Sequence, residues 1–302
     1  ERGANKVLET DTQAGSNNSG LVTGFNSDGF EVDNHQNVNA AANSVEGDPE
    51  YVSWTFRKAP GFFDVVTYTG TGSAQDIPHS LGSVPGMVVI KAFFGQSTGF
   101  DWAVYHKSTG ATKHLHLNRD YSVDTGTSFW NDTAPTSTHF TVGSHSDVND
   151  SGADYVAYIF ADDDDSAAQI FGDGGNESII KCGTFEVSEG TGTKVNLGFE
   201  PQFLLMKTID STRGWYLIDN MRGASSDYDR KSNFLYANSD AKEDDNRNIF
   251  FTPTGFEQTA LCALAYDTNI YMAIRRPMKK PEAGTEVFNA ISRSGTDGNI
   301  TV

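Results

Sequence analysis

Apolar residues in this chain gather in short runs with the alternation of strands, and hardly any stretch repeats at helical spacing. Phe62-Phe-Asp-Val-Val-Thr-Tyr68 is aromatic and β-branched and stops at Thr69-Gly-Thr-Gly72, so it predicts a strand entering a turn. Ile77 to Gly86 holds two prolines and two glycines, which exclude a helix. Met87-Val-Val-Ile-Lys91 is apolar nearly throughout and predicts a strand buried on both faces or central in a sandwich. Asp101-Trp-Ala-Val-Tyr105 alternates and predicts a half-buried strand. Lys113-His-Leu-His-Leu117 alternates too, with leucines on one face and histidines on the other. Ser128-Phe-Trp130, His139-Phe-Thr-Val142 and Tyr155-Val-Ala-Tyr-Ile-Phe160 complete a strand set of the kind that builds a sandwich.

The pattern recurs. Tyr155-Val-Ala-Tyr-Ile-Phe160 has a counterpart in Tyr51-Val-Ser-Trp-Thr-Phe56 and a weaker one in Tyr271-Met-Ala-Ile-Arg-Arg276. Leu197-Gly-Phe-Glu-Pro201 stands where Leu81-Gly-Ser-Val-Pro85 stood, Phe203-Leu-Leu-Met-Lys207 where Met87 to Lys91 did, and Gly214-Trp215 where Asp101-Trp102 did. Arg2-Gly-Ala-Asn-Lys-Val-Leu8 matches Thr109-Gly-Ala-Thr-Lys-His-Leu115. The chain therefore divides into the C-terminal half of a unit (1–56), a full β-sandwich unit (57–160), a second full unit (161–276) and the start of a further one (277–302). Either it is a window on a longer array, the reading preferred, or terminal strands complete a neighbour's sheet. Tyr155, Ala157 and Ile159 are expected to share a buried face in the last strand of their sandwich, as are Tyr51, Ser53 and Thr55 in theirs.

Composition agrees with an all-β chain. There are 30 glycines, 20 phenylalanines and 11 tyrosines, and very little helix is expected. A net charge of −18 repels phosphate backbones and anionic lipid, so neither nucleic acid nor a membrane is an expected partner. The basic stretch Arg275-Arg276-Pro-Met-Lys279-Lys280 reads as a strand end and linker. No apolar stretch has the length of a bilayer-spanning helix, and the first residues lack an apolar signal region. Cys182 and Cys262 have no zinc-type spacing; buried free thiols are the default, and a disulfide between them stays open.

Tyr68-Thr-Gly-Thr-Gly72, His79-Ser-Leu-Gly-Ser-Val-Pro85, a strand ending at Lys91, and Asp101-Trp-Ala-Val-Tyr-His106 together resemble a repeat domain of tail-fibre and other virion structural proteins of tailed bacteriophages, especially marine and cyanobacterial ones. The second unit departs from the pattern, with Val195 for the first histidine and Asp219 for His106. The resemblance implies tandem antiparallel β-sandwiches, similar to lectin-like jelly rolls, in an extracellular virion appendage. It also implies other virion proteins and homo-oligomerisation, trimeric in fibres, and carries over no catalytic residue.

Three constellations carry candidate chemistry. Asp162, Asp163, Asp164 and Asp165, with Asp173 nearby, supply hard oxygen ligands suited to Ca2+, though adjacent aspartates on extended backbone point to opposite sides, as in a solvated linker. No other cofactor is implied. His114 and His116 share a strand face on which a transition metal could bridge them, exposed strand histidines being the plainer reading. Trp130, Trp102, Tyr105 and Trp215 offer flat faces for stacking a sugar, with His106 beside them to bond hydroxyls; Trp130, which is not repeated, is the best of them. No nucleophile elbow, zinc-protease motif or phosphate loop occurs. The chain thus reads as a non-catalytic structural and adhesive module that contacts host surface polysaccharide. Its alternatives are a surface-polysaccharide depolymerase and a capsid-attached decoration fibre.

Overall fold

The computed structural model describes residues 6–16, 21–26, 29–34, 38, 51–95, 100–163, 177–187, 192–224, 232–247, 249–259 and 267–276. A hairpin of β1 (Val22–Phe25) and β2 (Phe30–Val32) precedes two sandwiches. The first contains β3 (Phe63–Thr69), β4 (Gln75–Pro78), β5 (Pro85–Phe94), β6 (Ala103–His106), β7 (Lys113–His116), β8 (Asp124–Thr125), β9 (His139–Val142) and β10 (Asp154–Ala161). Two one-turn helices, α1 (Thr127–Trp130) and α2 (Ser146–Asn149), interrupt it. The second contains β11 (Ile180–Glu186), β12 (Thr193–Asn196), β13 (Pro201–Thr208), β14 (Trp215–Asp219), β15 (Ser232–Tyr236), β16 (Asp244–Arg247), β17 (Ile249–Thr252), β18 (Gly255–Gln258) and β19 (Thr268–Arg275).

Among the described residues all pairings are antiparallel, and the two large sheets have the same order: β3-β10-β5-β6-β7-β8 and β11-β19-β13-β14-β15-β16. Each is faced by a small sheet, β4-β9 in the first sandwich and β12-β18-β17 in the second. The fold is an all-β sandwich architecture.

The period of two decides what each face of the second large sheet meets. Leu204, Met206, Tyr216, Ile218, Tyr271 and Ala273 pack with the small sheet of their own sandwich. The alternate residues Phe203, Leu205, Trp215, Ile270 and Met272 join the hydrophobic core of the first sandwich instead. The near-continuous apolar run of β13 therefore has a core on both faces, the second supplied by its neighbour. Gly86 permits the approach, because a Cβ there would lie 2.6 Å from Asp162 Cβ and 2.7 Å from Cys182 Sγ.

Several local expectations change. Ser128-Phe-Trp130 is α1 rather than a strand: Gly126 opens it and Asn131 and Asp132, both at a φ of 51°, end it in the left-handed region that Asn and Asp tolerate. β6, expected to be half-buried, is buried at all four positions. β10 lies inside its sheet between β3 and β5, and Tyr155, Ala157 and Ile159 are all buried. Residues 51–56 form no strand, and Tyr51, Ser53 and Thr55 are exposed, opposite to the face expected. Val52, Trp54 and Phe56 turn inward instead. The third copy is displaced as well: Lys91 pairs with Val156 and Lys207 with Ile270, so the register sets Tyr271 level with Ala157, and Asn269 with Tyr155.

Candidate functional site

Two lysines, Lys91 near the end of β5 and Lys207 near the end of β13, have no exposed surface. An ammonium in an apolar core needs acceptors within reach. Lys91 Nζ donates to the carbonyls of Phe100 (2.5 Å) and Gln13 (2.8 Å), and Lys207 Nζ to those of Thr208 (2.6 Å) and Asp120 (3.3 Å). One acceptor in each case belongs to the preceding unit. Burial pulls both lysines down to about 8 against the countervailing charges of Asp101 and Asp147 for Lys91, and of Asp120 and Asp267 for Lys207.

Beside each lysine a tryptophan crosses the same boundary. Trp102 Nε1 donates to the Glu9 carbonyl (3.1 Å), and Trp215 Nε1 to the His116 carbonyl (2.8 Å). A backbone bond completes the set, from Ser16 N to Phe93 O (3.1 Å) at one boundary and from Val123 N to Ile209 O (2.8 Å) at the other. Glu9, Gln13 and Ser16 stand to one another as His116, Asp120 and Val123 do, so one junction is built twice. A lysine, an indole and a main-chain amide fasten each unit to the one before it.

A polar cluster borders the first junction. Asp101 Oδ1 accepts from Asn118 Nδ2 (2.6 Å), Gln13 Nε2 (2.8 Å) and Arg119 Nε (3.0 Å). Burial opposes ionisation of Asp101, but the bonds from Asn118 and Gln13 and the charges of His116 and Arg119 outweigh it and hold its pKa below the usual value. Asp147 accepts the Asp101 amide (3.0 Å) and lies 3.2 Å from His116 Nε2. Potential ligand atoms of Asp101, His116 and Asp147 lie within 4.8 Å of one another. A cation there would meet the Arg119 guanidinium on the same oxygen and displace three hydrogen bonds. The cluster reads as an ion-pair network that ties residue 13 to the first sandwich.

Residues 1–276 match a domain family described as a domain of unknown function, DUF7483. The chain belongs to that family. No curated protein and no solved structure matches it.

In this DUF7483 chain the rings expected to stack sugars are inside. Trp102, Tyr105, Trp130 and Trp215 are each at most 5% exposed. Trp130 donates to the Lys113 carbonyl (3.0 Å) and meets Tyr105 edge-on, so its lack of a repeat partner reflects α1 rather than a ligand. His106 is buried as well. Ser108 N donates to its Nδ1, which leaves Nε2 to carry the proton and donate to the Tyr271 carbonyl at 3.0 Å. Burial, opposed by that bond and aided by Lys107, pulls His106 down to about 4. These five residues present no face to a saccharide.

The aspartate run is also committed. Asp162 accepts from Lys107 Nζ and from Cys182 N (2.7 Å), and the Asp163 amide bonds the Ile180 carbonyl. Asp162 thus anchors the start of the second sandwich to the first, and its carboxylate faces an ammonium rather than a vacant cation site. Asp164, Asp165 and Asp173 lie outside the described residues. His114 and His116 do come together, with ring centroids 5.2 Å apart, but His114 is buried and stacks on Phe129 at 3.5 Å. Burial and the neighbouring His116 pull His114 down to about 4. Cys182 is a buried free thiol, and Cys262 lies outside the described residues.

Lysine at a strand end and tryptophan soon after were both visible as repeated landmarks. Their burial between units was not, because sequence spacing does not say which element covers a face.

Proposed function

We propose that the chain is a non-catalytic structural segment of a bacteriophage virion appendage, a tail fibre or a similar extracellular part, whose partners are other virion proteins and further copies of itself. The observation that supports this reading most is the duplicated junction. Units fastened by a buried lysine, an indole and a shared hydrophobic core form a stiff body, as an appendage under mechanical tension requires. The resemblance of Tyr68 to Gly72, His79 to Pro85 and Asp101 to His106 to phage tail-fibre repeats supplies the setting.

Adhesion to host surface polysaccharide belongs to this proposal in a narrower form. Contact with sugar falls to exposed rings such as Tyr121, which is 55% exposed and lies under the Arg119 guanidinium, and not to the buried tryptophans. The test is immunogold labelling of phage particles with an antibody to the chain, together with incubation of the chain with host envelope polysaccharide. Label on an appendage with no new reducing ends is the expected result. Release of reducing ends, or particles that carry no label, overturns the reading.

A further inference from the structure

The junction has a direction: each unit offers two carbonyls and an amide, and the next supplies the lysine, the indole and a carbonyl. The offering set is Glu9, Gln13 and Ser16 at the first boundary and His116, Asp120 and Val123 at the second. The second sandwich carries the same set in the same places. Tyr236 pairs with Tyr216 as His116 pairs with Ala103, and Asn238 Oδ1 accepts the Trp215 amide as Asn118 Oδ1 accepts that of Trp102. Asp240 and Glu243 then stand where Asp120 and Val123 do. Among the described residues no side chain donates to the Tyr236 or Asp240 carbonyl. A recess of about 630 Å³, lined by Asn233, Tyr236, Ala241, Lys242 and Glu243 among others, opens at this edge.

A second contact says where the missing partner stands. His106, at the end of β6, reaches from the first sandwich to the Tyr271 carbonyl of the second. Its counterpart at the end of β14 is Asp219, which accepts from Trp54 Nε1 at 3.2 Å, while Trp54 also packs edge-on against Phe203 at 5.7 Å. Trp54 belongs to the N-terminal segment. Phe56, two residues on, lies 5.5 Å from Phe160 and 6.0 Å from Phe203, so the ends of consecutive units meet at one place. The N-terminal segment thus precedes the first sandwich through Glu9, Gln13 and Ser16, and follows the second through Trp54. A body that is both before the first and after the second closes a ring of three.

We infer that the edge from Tyr236 to Glu243 is the open third copy of the junction, and that it takes a further unit of this fold joined to this chain, whose strands complete β1 and β2 into a third sandwich. The occupant is recognised by its chemistry. It presents a lysine at the end of a central strand and a tryptophan opening the next, the pair that both filled junctions use. A second copy of the same chain does not fit, since its Trp102 and Trp215 are already held at its own junctions. The inference shares with the proposed function only the stacking of units, and its test reads one edge of the protein without reference to a particle.

In the experiment, residues 277–302 are replaced by a second copy of residues 57–108, which brings a strand with its lysine and a strand with its tryptophan. Amide hydrogen exchange is compared with that of the unaltered chain. The expected result is exchange slowed by about tenfold or more at Tyr236 to Glu243 and at residues 6–16, with β5 and β13 unchanged. The protection at Tyr236 to Glu243 is lost when the copied lysine and tryptophan are changed to Met and Phe, and also in an Ala241→Arg chain whose recess is filled. Unchanged exchange at that edge while β5 and β13 stay protected overturns the inference, whether or not the added strands order elsewhere. Protection that survives the Met and Phe changes overturns it too.

Discussion

Raising the pH from 7 to 9 is expected to stabilise the protein, and Lys91 and Lys207 are the cause. Each is a fully buried base whose pKa stands at about 8 in the fold against 10.5 in the open chain. Between those values the unfolded state holds more protons than the folded one, so stability rises with pH there. For one lysine the linkage relation gives a gain of about 1–1.5 kcal/mol between pH 7 and pH 9, and about 3 kcal/mol for the pair. Cys182 and the buried Tyr68, Tyr105, Tyr155 and Tyr271, all held above their ordinary values first of all by burial, act the other way; at pH 9 they take back only about half a kcal/mol. Above pH 10 the tyrosines dominate and stability falls. The assay is urea unfolding followed by tryptophan fluorescence at half-unit steps of pH. Lys91→Met or Lys207→Met removes one titrating group and fills its volume, so each halves the rise. A wild-type profile that is flat or falling from pH 7 to 9, or a rise that persists undiminished in the double variant, refutes the reasoning.

Three further outcomes follow from the same contacts. His106 and His114 are held at about 4, chiefly by burial, so the stability of their neutral forms is complete above pH 6.5 and is lost as pH falls toward 4; each contributes a loss of up to about 3 kcal/mol. His114→Phe is expected to halve that acid slope in urea midpoints, and an unaltered slope contradicts the assignment. Trp215→Phe keeps a ring but leaves the His116 carbonyl without its indole donor, at a cost of about 1–3 kcal/mol in denaturant unfolding, and Trp102→Phe does the same at the first junction. Gly86→Ala drives a methyl into Asp162 and Cys182 and costs about 1–3 kcal/mol; hydrogen exchange should rise at β11 before it rises at β7.

How far the fold could be read depended on whether a residue's environment came from its own strand or from a neighbour. Met87 to Lys91 and Phe203 to Lys207 announce strands with two covered faces, since solvent on either side would call for alternation. Nothing in those ten residues says that one cover is a different sandwich. The same blind spot hid the site. Trp102 and Trp215 were legible as a matched pair and hence as packing, yet their partners lie at residues 9 and 116 through carbonyls, which carry no side-chain signature. The sugar-stacking expectation failed because aromatic content marks a core as readily as a surface. Ser128 to Trp130 misled for a local reason: three residues are too few to show a period, and the turn chemistry of Gly126 and Asn131 decided the backbone. Residues 51–56 keep the letters of a core strand but take no strand conformation, and Tyr51 is exposed while Trp54 finds the second sandwich.

The displaced third copy shows how a repeat drifts without losing its fold. Tyr271 matches Tyr155 by letter, yet in register it sits level with Ala157. A shift of two residues leaves every side chain on its original face, whereas a shift of one would have turned the core outward. The cross-strand partners record the compensation. In the first sandwich Tyr155 faces Tyr68, stacked at 5.1 Å, and Ala157 faces Val66. In the second, Asn269 faces Phe185 and Tyr271 faces Gly183. One ring has left the first pair, another has entered the second, and the residue opposite it has shrunk to make room. A Cβ at Gly183 would stand 2.7 Å from Tyr271 Cζ and 2.9 Å from Cε1. Gly183→Val alone is therefore expected to cost about 1–3 kcal/mol by overpacking, and Tyr271→Ala alone about 3–5 kcal/mol by leaving a cavity. The double variant restores the Val66 and Ala157 arrangement, and its cost should fall short of the sum by at least about 1 kcal/mol. The Tyr271 carbonyl survives both changes, so the bond from His106 is not part of the difference. Additive costs in a urea-unfolding double-mutant cycle would mean that the glycine and the tyrosine were exchanged independently, and the two-residue slip would lose its physical basis.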